Sequence, residues 1–188
     1  MASKKQTQIN IVPPLPTFTG SYALELYLFQ PKKIVVGRLG QYCFEKGVYI
    51  YLGSANGYGG IKARLGRHIS GKPLQKHWHI DYLRCLAHPT AYSYISNGSV
   101  NPPRKPIECC WSQMLASHSK MHMPALGFGA SDCNYGCKSH LLFYAQPDLE
   151  NSKPRSTILK LPSFLLDLAF AINAPADEIF ENTYLIAE

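Results

Sequence analysis

The stretch GVYIYLGSANGYGGIKARLGRHI, residues 47–69, decides how the chain folds. Its opening, GVYIYLGS (47–54), packs β-branched and aromatic side chains together and is the strongest strand signal in the sequence. Strand alternation puts Tyr49 and Tyr51 on the same face. NGYGG (56–60) is a flexible turn. From Gly60 the period changes. Ile61, Leu65 and Ile69 recur at four-residue spacing and form the apolar stripe of a helix. Arg64 and His68 make a second i,i+4 pair on an adjacent face.

Upstream, GSYALELYLF (20–29) reads as a strand that Pro31 ends, and KKIVVG (32–37) as a second short strand. LGQYCFEKG (39–47) is turn-like and can hold one more. Downstream, SGKPLQK (70–76) breaks the helix, and WHIDYLRCLA (78–87) is compatible with helix or strand. TAYSYIS (90–96) favours a strand and NGSVNPPRKP (97–106) a loop. IECCWSQMLASH (107–118) is helical, with Pro106 suited to its first turn. LGFGASDCNYGCKSH (126–140) is a Gly- and Ser-rich loop, and LLFYA (141–145) closes as a strand. The expected fold is α/β (α+β): a small, mostly antiparallel central sheet flanked by helices. Residues 1–16 are expected as a flexible arm and 17–146 as the domain. Residues 147–188 are expected as a linker and an acidic tail, with the apolar helix PSFLLDLAFAI (162–172), expected to pack on its own domain.

The 188-residue chain carries a net charge of +7. Residues 1–76 hold 11 basic and 2 acidic side chains, whereas 147–188 hold 3 and 7. A basic first half points to a polyanion, most often nucleic acid. No apolar run is long enough to span a bilayer, and MASKKQTQ lacks an apolar signal core. A cytoplasmic protein with reduced cysteines and no membrane contact is therefore expected.

Four features follow in a fixed order: Gly20-Ser21-Tyr22 opening a strand, Tyr49-Ile50-Tyr51-Leu52-Gly53 in a second, Arg64-x-x-x-His68 on a helix, and Glu108 on a later helix. With them, the chain resembles the GIY-YIG nucleases. The segments GRLG (37–40), YIYLGSANG (49–57), WHIDYL (78–83), EC (108–109), FGASDC (128–133) and SHL (139–141) make it more similar to the Uri-type branch. The resemblance covers roughly residues 18–146. It implies a metal-dependent endonuclease that hydrolyses phosphodiester bonds in DNA, with a role in DNA repair as in the wider family. Glu108 is then the ligand of one Mg²⁺ (or Mn²⁺), an ion that keeps most of its waters and takes one or two carboxylates. Arg64 offers a planar fork to a phosphate oxygen. Tyr22 or Tyr51 is the general base, or relays to the attacking water, and the sequence does not choose between them. A phenol with a pKa near 10 needs nearby cations to serve at neutral pH, and the metal and Arg64 are expected to supply them. His68 is expected to accept or shuttle the proton. Lys62 and Arg67 are expected DNA-backbone contacts, with backbone amides of SANGYGG a weaker candidate.

The chain departs from the family pattern in two places. Tyr22 and Tyr49 are 27 positions apart, and the extra segment 32–47 is expected to form an inserted strand or hairpin. Ser21 stands where isoleucine is typical and, lying between Gly20 and Tyr22, need not touch the chemistry. Two further metal readings arise. His77, His79 and Asp81 share a face only if HWHID is a strand; the preferred reading is a structural or substrate-contacting WHIDYL segment, with Asp81 orienting a catalytic side chain. Cys133-x₃-Cys137-x₂-His140, with Cys109 or Cys110 as a fourth ligand, has irregular spacing for zinc, so its expected role is to pin the loop. The alternatives to a DNA endonuclease are an RNA-processing nuclease and a nucleic-acid-binding module that does not cleave. The acidic tail is a candidate surface for a protein partner.

Overall fold

The computed structural model describes residues 14–70, 75–98, 105–145, 161–174, 178–179 and 183–185. In chain order the elements begin with β1 (Gly20–Leu28), β2 (Lys32–Val35), β3 (Gln41–Phe44) and β4 (Gly47–Ala55). Then come α1 (Gly60–Ile69), α2 (His79–Arg84), β5 (His88–Ser96) and α3 (Ile107–Ala116). The last are β6 (Met121–His122), β7 (Leu141–Tyr144), α4 (Leu161–Ile172) and β8 (Thr183–Leu185). Six strands form one sheet in the order β6-β7-β4-β1-β5-β8, and every neighbouring pair is antiparallel. The expected mixed fold, with its antiparallel sheet, flanking helices and C-terminal helix, is the one observed.

β1 and β4 are the two central strands. Each is nine residues long, and they pair from Gly20↔Ala55 to Leu28↔Gly47. Apart from Ser21 and Glu25 of β1 and Ser54 of β4, both are apolar on both faces because the sheet is covered on both sides. On one face Tyr22, Leu24, Leu26, Tyr49 and Tyr51 pack with Ile61 and Leu65 of α1 and Ile80 and Leu83 of α2. On the other, Ala23, Val48, Ile50 and Leu52 pack with Trp111 and Leu115 of α3 and with Phe164, Leu165 and Leu168 of α4. Residues 78–87, compatible with either element from sequence, start as a helix for a local reason. The Asp81 carboxylate accepts the backbone N–H groups of His77 (2.8 Å) and Trp78 (2.9 Å), which would be orphaned at that N-terminus.

The inserted segment forms a hairpin. β2 and β3 pair as a separate two-stranded sheet, and its Ile34 and Phe44 join the core on the α1 face. The C-terminal segment packs on the domain, as expected: the Trp111 indole N–H donates to the Leu168 carbonyl (2.8 Å), and β8 extends the sheet beside β5. The remainder of the expected arm (residues 1–13) and linker (147–157) lies outside the described residues. Among the described residues no helix is long and apolar enough to cross a membrane.

Trp111 is fully buried and joins α3 to α4. Trp111→Ala is expected to cost about 3–5 kcal/mol through cavity formation. A lowered urea midpoint with an unchanged slope is the corresponding readout.

Candidate active site

The site sits where the sheet stops being continuous. β7 pairs with β4 only over Val48–Tyr51, and one further bond runs from the Leu52 N–H to the His140 carbonyl (2.9 Å). Past that point the 123–140 loop turns away, and Gly53 and Ser54 line a pocket of about 510 Å³. Side chains from both faces of the sheet meet in this pocket. Tyr22, Tyr51 and Arg64 come from the α1 face, and Glu108 comes from the first turn of α3.

Tyr22 and Tyr51 are diagonal neighbours, since Tyr22 pairs with Gly53 and Tyr51 with Leu24. Their ring centroids are 6.2 Å apart. A Cβ on Gly53 would stand 2.5 Å from the Tyr22 hydroxyl, so the glycine of the YLG motif is required for the phenol to lie where it does. Gly129, at φ +70°, serves Tyr51 in the same way: a Cβ there would come within 2.9 Å of its ring. Among the described residues neither hydroxyl has a hydrogen-bond partner, and both phenols line the pocket. The Arg64 guanidinium lies 3.9 Å from the Trp78 ring centroid, a cation–π contact that orders it at the pocket wall.

Glu108 is buried, not a surface glutamate, and its Oε2 accepts a hydrogen bond from Ser21 Oγ at 2.8 Å. Ser21, which from sequence need not have met any candidate site residue, thus contacts Glu108 directly. The link joins β1 to α3 across 87 residues of sequence. No local pattern foretells it; the sole clue was a polar residue at an otherwise apolar strand position. Asp132 also lines the pocket and was not singled out by sequence.

His68 and Arg67 are placed differently from their expected roles. His68 is fully buried behind the phenols, with ring centroids 6.1 Å from Tyr22 and 6.3 Å from Tyr51. Among the described residues neither of its ring nitrogens makes a hydrogen bond, so none joins it directly to either hydroxyl. Its Nδ1 lies 3.6 Å from Asp81 Oδ1. Arg67 is committed within the fold: Nη2 pairs with Asp81 Oδ2 at 2.9 Å and donates to the Gln75 carbonyl. Lys62 is exposed on α1. Asp81 therefore organises Arg67 and the start of α2, and it reaches His68 as an electrostatic neighbour.

Burial dominates the electrostatics of the phenols. It pushes Tyr51 up to about 12 and Tyr22 well above its ordinary value, and Arg64 pulls the other way without prevailing. Arg64, one of the two cations expected to make a phenol ionisable at neutral pH, is thus outweighed by desolvation. Burial also lowers His68 to about 4; Asp81 opposes this, while Arg64, Arg67 and Arg84 add to it. His68 is neutral at pH 7.

The loop that forms the far wall brings together a second constellation. Cys109, Cys133, Cys137 and His140 present ligand atoms that all lie within 4.8 Å of one another, a cluster able to hold a metal ion. Cys109 is the fourth member; Cys110 instead turns toward the Lys105 carbonyl at 3.8 Å. His77, His79 and Asp81 form no such group among the described residues. They lie at or on a helix, where they diverge, and His79 Nδ1 accepts the Gly129 N–H at 3.0 Å.

Residues 21–161 match the family described as Domain of unknown function DUF123. The chain belongs to this family. The matched span takes in every residue of the pocket and of the Cys₃His cluster, so both are features of the DUF123 region of the chain. No curated protein and no solved structure matches the chain.

Two outcomes follow from the site geometry. Gly53→Ala is expected to displace the Tyr22 phenol and to lower stability by about 1–3 kcal/mol through overpacking; thermal melting reads the second effect. Between about pH 6.5 and 4 unfolded His68 binds a proton that the folded protein refuses. The stabilisation is complete above that window and is lost as pH falls through it, by up to roughly 3 kcal/mol. Urea denaturation at pH 7, 5.5 and 4.5 is expected to show the decline, and His68→Phe to flatten it.

Proposed function

We propose that the chain is a divalent-metal-dependent endonuclease that hydrolyses phosphodiester bonds in DNA, in the manner of the GIY-YIG nucleases it resembles. The observation that supports this reading best is the convergence of Tyr22, Tyr51, Arg64 and Glu108 on one pocket, from opposite faces of the sheet.

Glu108 fits the role of ligand to one Mg²⁺ or Mn²⁺. Its carboxylate is buried, held by Ser21 and turned to a pocket that also contains Asp132. When bound, such an ion neutralises charge on the phosphate and at the leaving oxygen. Arg64, ordered against Trp78, presents its planar fork to a non-bridging phosphate oxygen. Both phenols carry their protons at neutral pH, so in the free protein they orient the attacking water by hydrogen bonds. His68 supports the two rings from behind and stays neutral. Lys62 is the backbone contact this reading retains; Arg67 serves α2 and Asp81. The net charge of +7 favours a polyanion. Among the described residues no separate recognition module is evident, which favours cleavage directed by DNA structure or by weak sequence preference.

The test is cleavage of supercoiled plasmid and of nicked, flapped, branched and single-stranded DNAs, with an RNA control, in Mg²⁺, Mn²⁺ or chelator. Metal-dependent cleavage is expected. Glu108→Gln and Arg64→Ala are expected to slow it by roughly 10²–10³-fold while leaving the fold intact. Ser21→Ala is expected to raise the metal concentration needed for half-maximal rate more than it lowers the maximal rate. Cleavage confined to RNA would reassign the substrate. Equal binding without cleavage by wild type and Glu108→Gln would make the chain a binding module.

A further inference from the structure

We propose that Cys109, Cys133, Cys137 and His140 form a structural Zn²⁺ site that fastens the 123–140 loop to α3. The inference is independent of the nuclease reading, since it rests on a different set of side chains.

The donor set selects the metal. Three thiolates and one imidazole suit Zn²⁺, whereas Mg²⁺ takes oxygen ligands. The distances suit it as well. With Zn–S near 2.3 Å and Zn–N near 2.0–2.1 Å, a tetrahedron has S···S edges of about 3.8 Å and S···N edges of about 3.6 Å. Cys109 Sγ lies 3.6 Å from Cys133 Sγ and 3.7 Å from His140 Nε2. The remaining ligand atoms fall within 4.8 Å, so small side-chain rotations close the shell.

Gathering of these four residues is selective. Cys43 and Cys85 are exposed elsewhere, and Cys110, next in sequence to a ligand, bonds to the Lys105 carbonyl instead. Two N–H groups are already aimed at the sulfurs: Tyr135 N–H donates to Cys133 Sγ (3.4 Å) and Gln113 Nε2–H to Cys137 Sγ (3.8 Å). Donors of this kind favour the thiolate form and orient metal ligands. A disulfide would join two of the four atoms and leave the imidazole without a role.

The site has a structural purpose. Between β6 and β7 the chain makes turns but no strand or helix, so little regular hydrogen bonding holds this loop. Yet it supplies Gly129, Ser131, Asp132 and Tyr135 to the pocket. Three ligands come from this loop and the fourth from the first turn of α3. Cys109 is adjacent to Glu108, and Cys133 to Asp132. An ion here fixes both carboxylates against one another across the pocket. Four protein ligands leave no open coordination position, so the ion holds structure and does not itself take part in hydrolysis.

The full chain, purified under reducing conditions without added metal, is the sample for the test. Elemental analysis is expected to give one zinc per chain. Replacement by Co²⁺ is expected to produce thiolate-to-cobalt charge-transfer bands and the visible absorption of a tetrahedral site. Cys137→Ser is expected to lose the zinc or weaken its retention against chelator, with a lowered melting temperature. Cys43→Ser, Cys85→Ser and Glu108→Gln are expected to keep one zinc per chain, and the last of these separates this site from the ion of the proposed nuclease. Should Cys137→Ser not fold, the wild-type cobalt spectrum decides by itself. Substoichiometric zinc without a charge-transfer band would overturn the proposal. So would iron in place of zinc, or a disulfide among Cys109, Cys133 and Cys137 in the reduced preparation.

Discussion

Tyr22 can occupy its place only because residue 53, its partner across the β1–β4 ladder, has no side chain. The rest of the site depends on that steric constraint. With the phenol seated over Gly53, Tyr51 packs diagonally beside it and α1 closes over both through Ile61, Leu65 and His68. The β1–β4 register therefore serves two ends. It pairs the backbone of the central strands, and it sets two buried hydroxyls side by side at the pocket. A slip of one residue in either strand would turn that strand's phenol to the α3 face and part the pair.

Burial governs the chemistry available there. The phenols, His68 and Glu108 are all withdrawn from water, and desolvation works against charge on each phenol and on the imidazole. The structure accepts that cost and places its charged groups where they are compensated. Asp81 receives two backbone N–H groups and Arg67, and Glu108 receives the Ser21 hydroxyl. Arg64 is stacked on an indole. Arg64, Glu108 and the two phenols thus hold fixed places in the pocket walls. Beside it, the Cys₃His cluster gathers soft ligand atoms, so two adjacent residues, Glu108 and Cys109, sit in chemically different surroundings.

Much of the fold was legible in the sequence because its signals are local. Apolar and aromatic residues marked β1, β-branched and aromatic residues marked β4, the four-residue period of Ile61, Leu65 and Ile69 marked α1, and Pro106 marked the start of α3. The ordered series Tyr22, Tyr51, Arg64 and Glu108 picked out residues that the fold brings to one pocket. Residues 78–87 were ambiguous because their short pattern fits two periods. The N–H groups captured by Asp81 settle them as helix.

What the sequence by itself determined is the set of elements and the chemical types at the site, since propensity and periodicity act between near neighbours. Tertiary structure alone decided the rest. It paired Ser21 with Glu108 across 87 residues, drew Arg67 to Asp81 instead of leaving it to solvent, and buried His68 beyond hydrogen-bonding reach of the phenols. It also gathered Cys109 with Cys133, Cys137 and His140 despite their irregular spacing. The physical reason is common to all four. Desolvation and ligand geometry depend on distances between segments remote in the chain, and those distances exist only once both faces of the sheet have been packed.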